Sequence, residues 1–269
     1  PDSDDAFMFY ALSHALVDVD GPEAVTIEPV HADIQSLNEH AAKGAYDVSQ
    51  ISAAAYPGVA DLYRITACGS SMGENYGPVV VAQTRVPVSA LAGRRVAVPG
   101  SQTTAFLLAR KYLPEFEPIQ LSFDQVFAAI QDGRADAGVV IHEGQITYEG
   151  EGFVKILDLG EAWFAETGLP LPLGINVVRR DLGDAWHRWV AAALAASIDY
   201  ARTHPADAQA YARAVSPGVD GDVAERFTAM YVTERTRDMG SEGREALSRL
   251  FSQSAMHGAE VPVDVVSLA

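Results

Sequence analysis

Two short strand-like segments constrain the architecture of this chain most. Pro78–Gln83 reads as a strand leaving one α/β unit, and Ile175–Arg179, entered through Gly168-Leu-Pro-Leu-Pro-Leu-Gly174, reads as a strand returning to it. Between them, short apolar runs alternate with helical stretches, the pattern of α/β architecture. Two such connections describe a hinge. The expected lobes are residues 1–83 plus 174–269, and an inserted lobe of 84–173, with a ligand cleft between them.

The rest of the pattern fills this frame. Ala6–Leu16 reads as a helix opened by Asp4 and Asp5, residues suited to the positive end of a helix dipole. Val25–Pro29 reads as a strand and Asp33–Gly44 as a helix with Ile34, Leu37 and Ala41 on one face. Strands are expected at Tyr46–Ile51 and Arg64–Gly69, with a small-residue helix over Ser52–Tyr63 between them. In the inserted unit, strands are expected at Arg95–Val98, Pro118–Ser122, Ala137–Ile141 and Phe153–Leu159, with helices at Thr103–Leu113 and Phe123–Asp132. From Leu182 onward the pattern is helical, over 184–202, 205–214, 220–232 and 241–257. The tryptophans Trp163, Trp186 and Trp189 read as packing residues.

Composition removes several classes of function. With 19 basic against 36 acidic residues among 269, the net charge is −17, which repels nucleic acid and anionic membrane. A single cysteine, Cys68, rules out an internal disulfide framework and a cysteine-based zinc site. No run approaches the roughly 20 apolar residues of a membrane span. His31-Ala-Asp33 and His142-Glu143 lack metal-ligand spacing, so no metal is expected. The opening at Pro1, without an initiator methionine, leaves room upstream for a first strand or a cleaved leader.

Three places could carry chemistry. His142 comes directly after the run Ala137–Ile141 and so falls at the carboxyl end of a strand, the edge where open α/β sheets bind ligands. An imidazole there can act as a general base near neutral pH, or be an idle loop histidine. Val98–Ala105 runs from strand through Gly100 into a helix start, so Thr103, Thr104 and Ala105 either hold an anion or cap the helix. Ser49–Ser52 makes the same transition in the first lobe, and two such helix starts facing one cleft would clamp an acidic small molecule. Gly69-Ser70-Ser71-Met72-Gly73 matches the G-x-S-x-G nucleophile elbow. The next residues, Glu74–Pro78, cannot begin the helix that the elbow requires, so a mobile loop at the cleft is the better reading.

Taken together, these motifs resemble the menaquinone-biosynthesis proteins of the futalosine pathway. The resemblance rests on Ser3–Leu12, Asp47–Tyr56, Gly93–Ala105, the Ile141-His142-Glu143 to Thr147-Tyr148 set and Thr167–Gly174. The last two are similar to the 1,4-dihydroxy-6-naphthoate synthase branch. The chorismate dehydratase branch and a non-catalytic solute-binding protein for a small carboxylate are the alternatives. The resemblance implies a periplasmic-binding-protein-like type II fold used as a cytoplasmic, cofactor-independent lyase. It implies a small-molecule carboxylate substrate, cyclic dehypoxanthinylfutalosine, from which removal of an acidic C–H proton starts loss of the sugar-derived fragment. By residue matching it makes His142 the base and places Asn38, Ser52, Thr104 and Ala105 on the cleft. The family often has Asn-Asp-Thr where this chain has Asp4-Asp5-Ala6, which leaves contacts from positions 4 and 6 open. Oligomeric state is not fixed by any of this.

Overall fold

A computed structural model describes residues 2–22, 25–216, 218–253 and 261–268. In chain order the described strands are β1 Val48–Ser52, β2 Tyr63–Thr66, β3 Ser71–Gly73, β4 Val79–Ala82, β5 Arg95–Val98, β6 Glu117–Gln120, β7 Ala137–Val140, β8 Val154–Asp158, β9 Leu171–Arg179 and β10 Val265–Val266. The helices are α1 Ser3–Ser13, α2 Ile34–Ala41, α3 Thr104–Tyr112, α4 Val126–Gln131, α5 Gly144–Thr147, α6 Leu159–Thr167, α7 Gly183–Thr203, α8 Pro205–Val215, α9 Gly221–Tyr231, α10 Glu234–Arg237 and α11 Gly240–Gln253.

The strands form two sheets. The first has the order β1-β9-β2-β10, with β3 also pairing β9. The nine-residue β9 is its axis: it runs antiparallel to β1 on one side and to β2 and β3 on the other. Its residues Ile175, Val177 and Val178 are fully buried, as a strand flanked by neighbours on both edges requires. The second sheet has the order β6-β5-β7-β4-β8, with β5 parallel to β6 and β7, and β4 antiparallel to β7 and β8. Parallel β5, β6 and β7 aim their carboxyl ends the same way, toward the cleft between the sheets.

The ladders correct the expected boundary. Val79–Ala82 pairs with Val140, Val139 and Gly138 and with β8, so it belongs to the second sheet and the first crossover precedes Val79 rather than coming after Gln83. The return also comes earlier, because Leu171–Leu173 already pairs with β3. Pro172 sits inside β9 opposite Met72, at the register shift of the β3 ladder, a place where a missing N–H is tolerated.

Several local expectations change for identifiable reasons. Val25–Pro29 is not a strand: its backbone is irregular and Val25 and Ile27 are 40% and 42% exposed, so the β-branched alternation found no sheet partner. Ser52–Tyr63 yields only a six-residue 3₁₀ helix, Ala53–Gly58, with Pro57 inside it. The glycine-rich segment at 71–73 is strand β3 rather than a mobile loop. Helix α6 begins where the β8 pattern was expected to continue, because the Asp158 side chain accepts from the N–H groups of Gly160 and Glu161 and caps it. The end of the last expected helix, residues 254–257, lies outside the described residues.

Helices of the C-terminal third pack on the first sheet and on α1. Helix α7 buries Val190, Leu194 and Ile198 together with four alanines, a small-residue face that lets α1 approach closely. Trp163 is fully buried, with its Nε1–H donated to Pro170 O at 3.0 Å; Trp186 and Trp189 meet edge to face at 5.6 Å. No described helix is long and apolar enough to cross a membrane.

Candidate active site

A cleft opens between the two sheets, lined by Asp2, Asp4 and Asp5 of the α1 start, Gln50 and Ser52 of β1, Ser71, Thr103–Ala105, Phe123, Ile141, His142, Gln145, Leu173, Gly174 and Tyr231. Five of the six expected site residues therefore meet in one place. Asn38 does not line it. That side chain is buried behind Ser52, where Asn38 Nδ2 donates to Ser52 Oγ (3.0 Å) and Asn38 Oδ1 accepts from Ser52 N (2.8 Å). Asn38 thus fixes the Ser52 rotamer, and among the described residues nothing accepts the Ser52 hydroxyl proton, which is left for a ligand.

The helix start resolves into separate roles. Thr103 is the N-cap of α3: its Oγ1 accepts from Phe106 N (3.1 Å) and donates to Gly100 O (2.8 Å). Thr104 Oγ1 donates to Leu173 O (3.0 Å) and accepts from Ala54 N (3.1 Å). Both hydroxyls are committed, so neither is a ligand donor as expected from the sequence; Thr104 instead ties α3 to the first sheet. What remains for an anion is the first-turn N–H of Thr104 and of Ala105, which no carbonyl within the helix can reach. The second expected helix start contributes no such pair, because Ala54 N is already taken. Gly100, at φ +152°, lets Gln35 reach over the turn; a Cβ there would lie 2.3 Å from Gln35 Oε1.

His142 stands at the expected sheet edge, two residues beyond the end of β7 at Val140, and holds the left-handed conformation at φ +53°. Such a backbone is costly for a non-glycine residue and persists where surrounding contacts over-determine it. The contacts are visible. Glu143 Oε1 accepts from Ser3 N (3.2 Å) and Ser3 Oγ (2.6 Å), placing a carboxylate at the N-terminus of α1 where the helix dipole favours it. Next to it, His142 Nδ1 donates to Asp2 Oδ2. The side chains are 15% and 12% exposed. Phe123 packs edge-on to the imidazole, 4.6 Å between centroids.

The electrostatics stem from that pair. Burial alone would push the His142 pKa down, but the Asp2 carboxylate, through charge and hydrogen bond, raises it above the usual 6.5. Burial likewise opposes ionisation of Asp2, and the imidazolium overrides it to hold Asp2 below the ordinary 3.8. Because a carboxylate only accepts, Nδ1 keeps its proton and the lone pair of the neutral ring is on Nε2. Nε2 has no partner among the described residues.

The acidic wall was not legible as part of the site. Asp4 accepts from Ser71 Oγ (2.8 Å), and Asp5 accepts from Gln50 Nε2 (2.6 Å). The functional atoms of Asp2, Asp4 and Asp5 all lie within 4.8 Å of one another. Burial and the neighbouring carboxylates raise both Asp4 and Asp5 well above the ordinary carboxylate range. In the sequence these residues look like helix-capping acids. Their partners lie 45 to 140 positions away, and no local signal points to them. Among the described residues no Lys or Arg lines the cleft.

Comparison with known proteins agrees with this geometry. The family model described as menaquinone biosynthesis matches residues 1–255. A 1,4-dihydroxy-6-naphthoate synthase of Thermus thermophilus is 39% identical over 262 residues, 97% of this chain and 94% of that protein. One of Streptomyces coelicolor is 36% identical over 264 residues, 96% of this chain and 92% of that protein. Among solved structures, protein AF1704 from Archaeoglobus fulgidus superposes with a TM-score of 0.87 at 42% identity, covering 96% of this chain and 95% of that one. The alkanesulfonate-binding protein SsuA from Xanthomonas axonopodis pv. citri gives a TM-score of 0.64 at 15% identity, covering 99% of this chain and 96% of that one. That last likeness shows the fold, the periplasmic-binding-protein-like arrangement of two α/β units about a cleft. With 255 of its 269 residues matched by the family model, the chain belongs to the menaquinone-biosynthesis family.

Proposed function

We propose that this chain is a 1,4-dihydroxy-6-naphthoate synthase, a lyase acting on cyclic dehypoxanthinylfutalosine, with His142 as general base. The observation that carries the reading is the Asp2–His142 pair, which keeps the proton on Nδ1 and leaves the Nε2 lone pair free at the cleft. The two relatives that bear this name match nearly the whole chain and support the choice of product.

In this mechanism the substrate carboxylate lies at the α3 start, on the N–H groups of Thr104 and Ala105 and on the Ser52 hydroxyl. Nε2 of neutral His142 takes the proton from the carbon beside the carbonyl, and the C–H electron pair moves toward that carbonyl as an enolate. Collapse of the enolate expels the sugar-derived fragment, and aromatisation of the ring system completes the step. Asp2 stabilises the imidazolium that forms, as a carboxylate beside a base histidine does. The two α/β units, divided where the chain crosses near residues 78 and 171, close over the ligand and exclude water.

The test is to incubate the purified protein separately with cyclic dehypoxanthinylfutalosine and with chorismate and to identify products by mass spectrometry. Formation of 1,4-dihydroxy-6-naphthoate from the first supports the reading. Dehydration of chorismate, or tight binding of either compound without turnover, would refute it.

A further inference from the structure

The cleft is chemically two-sided. One side offers donors: the Ser52 hydroxyl and the first-turn N–H groups of α3. The other offers acceptors that this chain leaves empty. Among the described residues Gln50 Oε1, Asp4 Oδ1 and Asp2 Oδ1 are buried oxygens that no fixed donor reaches, although a proton on Asp4 can be shared with Asp2. Asp4 is 2% exposed and Gln50 9%, so water does not readily serve them. A buried acceptor left unmade costs free energy, and such orphans are uncommon in folded proteins. Gln50 is an observation independent of the carboxylates. Its amide is fixed by Nε2 donating to Asp5 Oδ1 at 2.6 Å, and its oxygen is thereby left over on the cleft. Gly174 makes room for it, since a Cβ there would come within 2.9 Å of Gln50 Nε2.

We propose that Asp4 and Gln50, braced by Ser71 and Asp5, form a subsite that accepts hydrogen bonds from the hydroxyl groups of the sugar-derived half of the ligand. The proposal rests on the assignment as a naphthoate synthase and adds to it the residues that recognise the leaving fragment. A neutral hydroxyl suits this wall better than a cation. Asp2 is already matched by His142, and Asp4 and Asp5 sit toward their protonated forms, so the wall carries less negative charge than three free carboxylates. A hydroxyl donates and accepts, and can pair with a wall of mixed protonation. The ligand then lies with its carboxylate at α3, its sugar hydroxyls at Asp4 and Gln50, and its reacting carbon between them at His142.

The test uses His142→Asn protein, in which bound substrate is consumed too slowly to disturb a binding measurement, and compares dissociation constants for intact substrate and for analogues lacking one sugar hydroxyl each. Removing a recognised hydroxyl should weaken binding by about 10- to 100-fold. Adding Asp4→Asn or Gln50→Leu should weaken the intact substrate by a similar factor and bring the discrimination to within about threefold, with thermal melts confirming that both variants fold. Equal binding of intact and deoxy compounds, or discrimination surviving both substitutions, would overturn the subsite. Calorimetric titration with Mg²⁺ or Ca²⁺ supplies a further arm: cation binding abolished by Asp4→Asn would assign the wall to a metal and overturn the proposal. Turnover of the intact substrate by wild-type protein is read separately, so a failure of the assigned reaction is distinguishable from a failure of the subsite.

Discussion

Asp2→Asn isolates the charge behind the base. Asparagine matches aspartate in shape and can still accept from His142 Nδ1, so the ring keeps its place while the carboxylate charge disappears. A hydrogen bond to a charged group contributes about 1.5–3 kcal/mol, and at 1.36 kcal/mol per decade this corresponds to about 10- to 150-fold in rate if the interaction strengthens as imidazolium forms. The pair is 15% and 12% exposed, which places it where solvent screening is weak and the upper part of that range applies. The pH dependence has a definite sign. In wild type the carboxylate raises the His142 pKa above 6.5, so the neutral, proton-accepting ring becomes dominant only above that value and kcat/KM rises with pH through a midpoint above 6.5. Without the Asp2 charge, burial dominates and favours the neutral ring, so the midpoint moves to lower pH. The assay is kcat/KM across about pH 5 to 9 for both proteins. A midpoint that stays put, or a plateau rate equal to wild type, would show that Asp2 does not act on the base.

The same geometry sets three more outcomes. His142→Asn should retain the fold and most substrate affinity while lowering kcat by about 10²–10⁴-fold, measured under saturating substrate; full turnover would move the base elsewhere. Thr104→Val removes the hydroxyl that joins Leu173 O to Ala54 N, so both backbone groups lose that partner; it should lower stability by about 1–3 kcal/mol in urea denaturation and raise KM more than it lowers kcat. Gly174→Ala puts a methyl 2.9 Å from Gln50 Nε2, so the amide must shift from its bond to Asp5; the melting temperature should change by no more than a few degrees while kcat/KM falls about tenfold or more.

The local part of the structure was legible in the sequence. Arg95–Val98 is a strand as expected, and Thr103 caps α3 one residue before its first turn, because both depend on patterns within a few residues. His142 was found because an apolar run places the residue after it at a sheet edge. Asp4 and Asp5 were read as dipole-favoured acids at a helix start, which they are, but their role as a cleft wall depends on Gln50 and Ser71 arriving from other elements. The Thr103 hydroxyl was legible as a helix cap, but the occupation of the Thr104 hydroxyl was not, because it meets Leu173 and Ala54 only in the folded chain. Strands β3 and β10, three and two residues long, are defined by their partners β9 and β2 and carry no period of their own.

The Asp2–His142 and Ser3–Glu143 contacts join the first turn of α1, packed among α7, α8 and α9, to the loop at the end of β7 in the second sheet. A motion that parts the two halves to admit a ligand pulls the carboxylate from the ring and returns the imidazole toward its ordinary proton affinity. Re-forming the pair from such an opened state near neutral pH would be a protonation event, the molecule taking up a fraction of a proton as it shuts. Its calorimetric binding enthalpy should vary linearly with the ionisation enthalpy of the buffer, with a slope that falls to zero or reverses sign in the Asp2→Asn protein, where burial favours the neutral ring.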